Sequence, residues 1–503
     1  ARVLLLLCLV PDLTATPTTH EKPLGGTVLR GLVWLGGVRW AAQLFTWAST
    51  LIIARLLAPE DYGLVALATV LTGFLEVITD LGLGSALVQS RDLSKRDIEA
   101  TMGVTCALGL GAAVLVALSA PLWAKVQGDP RIVPIVQALA IGVLLTTSAA
   151  VPYSMLHRRL AFGLVARAQF LRGVLTAVAT LVLAFVLQSY WALVVGYLIG
   201  KAVFTIMLIW AEPAVPRFPG PDTKVGKLLR FGGILTADRV LNYARTNIDV
   251  ALVGALLGTR MVGLYVMALA LARLPLEKLG SAFEPVAYPT FARLQNDVAA
   301  LRRYFLGLSL GTMAIALPAC LGLIVTAKLL VPVVIGPQWS AVVSPLQVAA
   351  LATPLAFHLA LVSALFNALG RVDLSLRITT LTSVLTIIAV LISVQFGITA
   401  VAAASALAFA LIWVYAEALA LRKIDLRWRE VARTLAPAFS AALGMAAFVY
   451  AASLLLPARW PASARLVIEV SVGLVTYVAW AFVLHRNTVV AQLRSLRAAW
   501  SAR

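Results

Sequence analysis

The amino-acid sequence predicts an all-α integral membrane protein with about fourteen transmembrane helices, and three observations carry that expectation. Of 503 residues, 61% are hydrophobic and 13% charged, and the mean hydropathy is +0.94. Soluble domains are about half apolar and about a quarter charged, so one soluble core cannot hide this much apolar side chain, whereas lipid solvates it. The apolar residues come in long, non-alternating runs, which selects helices over barrel strands. Finally, the connections between runs are alternately rich and poor in Lys and Arg, the pattern left when basic loops stay on the cytoplasmic side.

Taken in order, residues 1–22 form an N-terminal tail. Its apolar stretch from Val3 to Val10 is too short to span and resembles the apolar part of a signal peptide, though only Arg2 precedes it. Runs long enough to cross, about 20 residues each, then lie near 28–57, 62–88, 98–124, 132–156, 163–187, 191–211, 228–257, 262–288, 303–330, 341–369, 374–396, 398–421, 433–457 and 464–485. With the start of the first run in the cytoplasm, the inward loops collect Arg91, Lys95 and Arg96, then Arg158 and Arg159, Lys224, Lys227 and Arg230, Arg302 and Arg303, Arg371 and Arg377, and Arg422, Lys423, Arg427 and Arg429. The outward connections hold little beyond Lys125, Arg131, Arg260, Arg459 and Arg465. Both termini are therefore expected inside. The formal charge of +19 is a property of these loops and does not call for nucleic acid. Tyr190, Trp191, Trp339 and Trp460 sit where interface aromatics belong. The connections are short, which leaves no extramembrane domain for a catalytic site. Cys8, Cys106 and Cys320 lie in apolar runs without metal-ligand spacing and read as packing residues.

The chain also repeats itself. Arg39, Thr46, Leu56, Leu57, Gly63, Leu64 and Ala68 match Arg239, Thr246, Leu256, Leu257, Gly263, Leu264 and Ala268, and Gly84-Ser85-Ala86 echoes Gly280-Ser281-Ala282. Six spans separate the copies, so they share one orientation, as in a parallel repeat about the membrane normal. The expected organisation is a first six-helix lobe over 23–212, a Pro-rich cytoplasmic linker over 213–225, a second lobe over 226–424, and two further helices with a cytoplasmic tail over 425–503.

Charge at membrane depth is costly and marks cavities or pairs. Arg39, Gln43, Thr46 and Thr50 share one face of the first helix, and Asp238, Asn242, Arg245 and Asp249 share one face of the seventh, with Arg239 beside them. Glu76 and Asp80 are one turn apart on the second helix; Arg273, Glu277, Ser281 and Glu284 line the eighth. The simplest expectation is a polar cleft where the first two helices of each lobe meet. Lys201, His358, Glu417 and Glu469 are isolated charges elsewhere; His358 reads as a packing or hydrogen-bonded residue, and Glu417 and Glu469 as residues near helix ends or lobe peripheries. No phosphate-binding loop, zinc motif or nucleophile elbow is present in the sequence.

Two stretches carry a family resemblance. One is Leu57-Ala-Pro-Glu-Asp-Tyr-Gly63 with Phe74, Asp80-Leu-Gly-Leu-Gly84 and Ala86-Leu-Val-Gln89; the other is Gly263-Leu-Tyr265, Ala268, Pro275, Pro285, Pro289 and Phe291-Ala-Arg-Leu-Gln295. Over roughly residues 25 to 425 the chain resembles the polysaccharide biosynthesis proteins, the Wzx-type flippases, in the branch linked to colanic acid and similar exopolysaccharides. The resemblance implies two six-helix lobes in a V, alternating access, a place in the bacterial inner membrane, and export of a polyprenyl-pyrophosphate-linked oligosaccharide toward surface polysaccharide, alongside a polymerase and export machinery. On that footing Arg39, Arg239, Arg245 and Arg273 hold the pyrophosphate and Gln43 and Asn242 the sugar. Glu76, Asp80, Asp249 and Glu277 are candidates for coupling to H+ or Na+, with no other cofactor and no enzymatic role. The number of acids beside those arginines puts a strongly cationic cavity in doubt. A cation-coupled multidrug exporter on the same scaffold is the alternative, and a membrane polysaccharide polymerase or ligase a second one.

Overall fold

The computed structural model of the chain describes residues 45–80, 84, 87, 90, 93–218, 220 and 225–484. The described residues are helical apart from short connections. Eleven spans among them are long and apolar enough to cross a membrane. The run expected over 28–57 is described only as α1, Phe45–Leu56. It is followed by α2 (Pro59–Asp80), α3 (Lys95–Gln127), α4 (Ile132–Arg158), α5 (Phe162–Leu187), α6 (Trp191–Ala211), α7 (Val225–Leu257) and α8 (Thr259–Leu294). Helices α7 and α8 are 33 and 36 residues long. The remaining helices are α9 (Val298–Val334), α10 (Val343–Ala368), α11 (Val372–Ser393), α12 (Ile398–Lys423), α13 (Trp428–Leu455) and α14 (Ala462–Leu484).

Local chemistry fixes the helix ends. Ser94 and Asp97 form a reciprocal capping box, Asp97 N donating to Ser94 Oγ at 3.1 Å and Ser94 N to Asp97 Oδ2 at 3.0 Å, so α3 begins there. It ends at Gly128, whose φ of +72° any side chain would strain. The motif that opens α2 has a similar logic. Pro59 supplies a first-turn residue that needs no N–H partner. Asp61 accepts from Ala58 N at 2.9 Å and from Tyr190 N at 3.0 Å, which ties the start of α2 to the turn before α6.

By its internal contacts the chain divides into two compact units, one of them His20–Val266 and the other containing Met267–Arg503. In the first, α3 packs on α4 and α5 on α6, while α4 also meets α2 and α6. Helix α7 packs on α2 and α3, which is why the packing boundary lies beyond the linker that separates the repeats. That linker is pinned. Glu212 pairs with Arg159 at 2.7 Å, Arg217 N donates to Glu99 O at 3.0 Å, and the Arg217 guanidinium reaches Glu99 at 3.1 Å. In the second unit α9 packs on α10, α13 and α14, and α10 on α12, around buried Phe291, Phe305, Val362, Leu365 and Phe366.

The two repeat copies touch where their second helices begin. A Cβ on Gly63 would stand 1.9 Å from Thr259 O, and one on Gly263 would stand 1.8 Å from Pro59 O. Residues 59 and 63 and their counterparts 259 and 263 thus meet reciprocally, as a two-fold relation requires. Around this seam Arg260 pairs with Glu60 at 3.2 Å. Asp129 accepts from Thr259 Oγ1 at 2.9 Å and from Arg131 Nη2 at 2.8 Å. The Arg131 guanidinium holds the Asp129 carboxyl below the ordinary carboxylate range, with help from Thr259.

One sequence expectation needs correction: Trp339 is fully buried and is not an interface residue. Glu417 and Glu469 lie within about two turns of a helix end, as expected, and their side chains are buried, at 0% and 1% exposed. Hydropathy windows do not say which face of a helix meets a neighbour, and these three side chains lie on faces that do.

Candidate functional site

Of the predicted polar face of α7, the structure describes the side chains of Asn242, Arg245 and Asp249, with Arg239 beside them. Tyr243 docks the helix on α2, its hydroxyl donating to Thr69 O at 3.0 Å and its ring centroid 6.4 Å from that of Phe74. The approach needs Gly73, where a Cβ would stand 2.3 Å from the Tyr243 hydroxyl. Away from that contact, Arg239, Asn242 and Thr246 are exposed and Arg245 and Asp249 half-buried. Arg245 Nη2 donates to Asn242 Oδ1 at 2.7 Å, while its buried Nε has no hydrogen-bond partner among the described residues. Asp249 accepts from the Tyr265 hydroxyl at 2.8 Å. The geometry presents guanidinium and amide groups along one side of α7, away from its contact with α2. Guanidinium forks bind oxyanions in bidentate fashion. Arg273 is exposed on α8. Arg39 and Gln43 lie outside the described residues, as do the side chains of Asp80, Asp238 and Glu277.

Glu76 faces a different direction from that stripe. It pairs with Lys201 of α6 at 2.5 Å, and Lys201, 6% exposed, also reaches Gly142 O at 3.5 Å and sits 4.8 Å over the Tyr197 ring. This pair borders a cavity of about 370 Å3 in the first unit, shared with Tyr153, Gln169, Arg172 and Phe204. A second cavity of about 730 Å3 adjoins it through Gln169, Arg172 and Tyr197 and runs along α1, where Thr46, Ser49 and Thr50 line it. The sequence reading took Lys201 as isolated and passed over Arg172, Gln169 and Tyr197. The signal was there: Gln169 and Arg172 are three apart and Tyr197 and Lys201 four apart, each pair on one helical face.

In the second unit His358 is fully buried. It accepts at Nδ1 from Trp413 Nε1 at 3.0 Å and lies 3.0 Å from Ser309 Oγ through Nε2. That bonding makes it a hydrogen-bonded core residue, as expected. Glu417 Oε2 approaches it to 3.5 Å, and neither Glu417 oxygen has a hydrogen-bond partner among the described residues.

Comparison with known proteins adds three findings. The family model described as "Polysaccharide biosynthesis protein" matches residues 52–344. Among curated proteins, the chain is 26% identical over 356 residues to "Lipopolysaccharide biosynthesis protein WzxC" of Escherichia coli (strain K12), covering 69% of this chain and 71% of that one. It is 26% identical over 325 residues to "Succinoglycan biosynthesis transport protein ExoT" of Rhizobium meliloti (strain 1021), covering 65% of each. Among solved structures, "Lipid II flippase MurJ, inward closed conformation" superposes with a TM-score of 0.75 at 14% identity, over 91% of this chain and all of that one, which is a likeness of fold.

Proposed function

The chain belongs to the polysaccharide biosynthesis protein family, and from that membership we infer that it is a flippase, moving a polyprenyl-pyrophosphate-linked oligosaccharide from the inner to the outer leaflet for surface polysaccharide. The observation that carries this reading is the exposed polar face of α7 in a multi-pass membrane chain. Groups as costly in hydrocarbon as Arg239 and Asn242 are retained where a charged, hydroxylated head group must cross.

In this reading the protein lies in a bacterial inner membrane with both termini in the cytoplasm. The head group approaches α7 from the cytoplasmic side. Arg239 and Arg245, with Arg39 and Arg273, offset the desolvation of the pyrophosphate, while Asn242 and Gln43 hydrogen-bond sugar hydroxyls. The lipid tail stays in the bilayer, so the protein carries only the polar part across. No bond is made or broken, and the chain acts as a transporter rather than an enzyme. An H+ or Na+ gradient biases the cycle through Asp80, Asp249 or Glu277. Glu76 can join them only by leaving Lys201. A polymerase and an export complex take the product onward.

The test is the lipid extract of cells lacking this protein. The reading expects a polyprenyl-pyrophosphate oligosaccharide to accumulate and surface polysaccharide to disappear. An unchanged lipid-linked pool would overturn it.

A further inference from the structure

We propose that the interior of the first unit, bordered by α1, α2, α4, α5, α6 and the start of α8, is a binding chamber for a carboxylate-bearing sugar of the transported glycan, with Arg172 as its anion contact. The proposal rests on the flippase reading and names the class of glycan it carries.

The chamber is the pair of adjoining cavities, about 730 and 370 Å3, that meet at Gln169, Arg172 and Tyr197. Each falls within the roughly 300–1,000 Å3 of ordinary ligand sites, which is room for part of a glycan and not for a whole lipid-linked one. Arg172 stands ten residues into the 26-residue α5, about 15 Å along a helix of about 39 Å at 1.5 Å per residue, and so near mid-membrane. Its guanidinium lies 5.5 Å from the Phe204 ring centroid and has no carboxylate partner among the described residues. A cation at that depth persists when something compensates it.

The lining carboxylate, Glu76, is already engaged by Lys201 at 2.5 Å. Among the described residues, the side chains lining the two cavities therefore hold two cations and one carboxylate, which leaves a single positive charge over. A carboxylate matches that surplus and the planar fork of Arg172. A pyrophosphate, with more than one charge, would leave negative charge uncompensated there, and the arginines of α7 suit it better.

The rest of the lining suits a sugar ring. Tyr62, Tyr153, Tyr197 and Phe204 bring aromatic rings to the two cavities, and Gln169 brings an amide. Ser49 lines the larger cavity at 2% exposure, and its Oγ has no hydrogen-bond partner among the described residues. A buried hydroxyl without a partner is costly, and a ligand hydroxyl would satisfy it.

The experiment starts from the lipid-linked intermediate that accumulates in cells lacking this protein. Its glycan is released by mild acid, its composition is determined, and part of it is carboxyl-reduced. The purified full-length protein in lipid nanodiscs is then titrated with the glycan, the reduced glycan and inorganic pyrophosphate. The glycan should contain a carboxylate and bind the wild type. Carboxyl reduction, or Arg172→Gln, should weaken binding at least about tenfold. Arg172→Lys should fall between, and pyrophosphate should not compete. Unfolding midpoints check that the variants are folded; should Arg172→Gln fail that check, Arg172→Lys and the reduced glycan decide. A neutral glycan, failure of the wild type to bind it, equal binding of its reduced form, or competition by pyrophosphate would each overturn the chamber while leaving the flippase in place. Absence of any lipid-linked intermediate overturns both.

Discussion

Replacing Gly63 with alanine should unseal the junction between the starts of α2 and α8 while leaving both helices intact. The new Cβ would stand 1.9 Å from Thr259 O and 2.9 Å from Thr259 C, both backbone atoms, so no side chain can swing away. Ordinary contact begins at 3.4 Å, and the shortfall of about 1.5 Å must come from the helix starts moving apart. Overpacking of this kind costs about 1–3 kcal/mol, and rigid backbone on both sides places it toward the upper end. Alanine in place of glycine inside a helix returns about 1 kcal/mol. That gain strengthens α2 itself, separated or not, and does not protect the seam. At about 1.4 kcal/mol per tenfold, a cost of about 2–3 kcal/mol shifts the closed-to-open ratio by about 30- to 150-fold. The Glu60–Arg260 pair cannot hold the junction alone. It is largely exposed, at 31% and 60% for the two side chains, and exposed pairs contribute about 0–1 kcal/mol. The assay is the rate at which a short bifunctional reagent joins cysteines placed at Glu60 and Arg260, in a chain otherwise free of cysteine. Gly63→Ala should slow it, and Gly263→Ala should do the same, because the two contacts are reciprocal. Unchanged rates, or a loss from one variant only, would refute the reasoning.

Other perturbations follow from the same contacts. Arg39→Ala with Arg239→Ala should abolish export while the protein stays folded, read as accumulation of the lipid-linked intermediate in complemented cells; full export by the double variant would remove the arginines from the substrate path. The Asp129 carboxyl is depressed by Arg131 in the folded chain, so its contribution is present above the unfolded pKa and lost as pH falls through the folded one. The seam should therefore loosen only in acid below the ordinary carboxylate range, read as the separation of spin labels at positions 60 and 260, and Asp129→Asn should flatten that dependence. His358→Ala should lower the unfolding midpoint in detergent, since it strands the buried hydroxyl of Ser309 at a cost of about 1–3 kcal/mol and removes the partner of the half-buried Trp413. Glu417→Leu should be neutral or raise it, because a carboxyl without a hydrogen-bond partner leaves the core; a large loss on Glu417→Leu would show that the acid is satisfied in some other way.

The sequence by itself determined that this is a membrane chain of many helices, placed most of those helices, found the repeat at a spacing of 200 residues and marked the polar face of α7. Each is a one-dimensional signal: lipid enforces apolar runs of fixed length, the helix period puts Asn242, Arg245 and Asp249 on one side, and duplicated segments keep matching residues. The Pro-Glu-Asp-Tyr-Gly motif was also visible, though its purpose was not; Gly63 looked like one glycine among 34 until Thr259 O stood against it. Tertiary structure alone decided which faces meet. It joined Glu76 to Lys201 across 125 residues, opened the chamber around Arg172, and buried Trp339 and Glu417. Those outcomes depend on the register between helices far apart in the chain. Lipid solvates the outward sides of all of them alike, so the sequence pattern does not record which inward sides are partners.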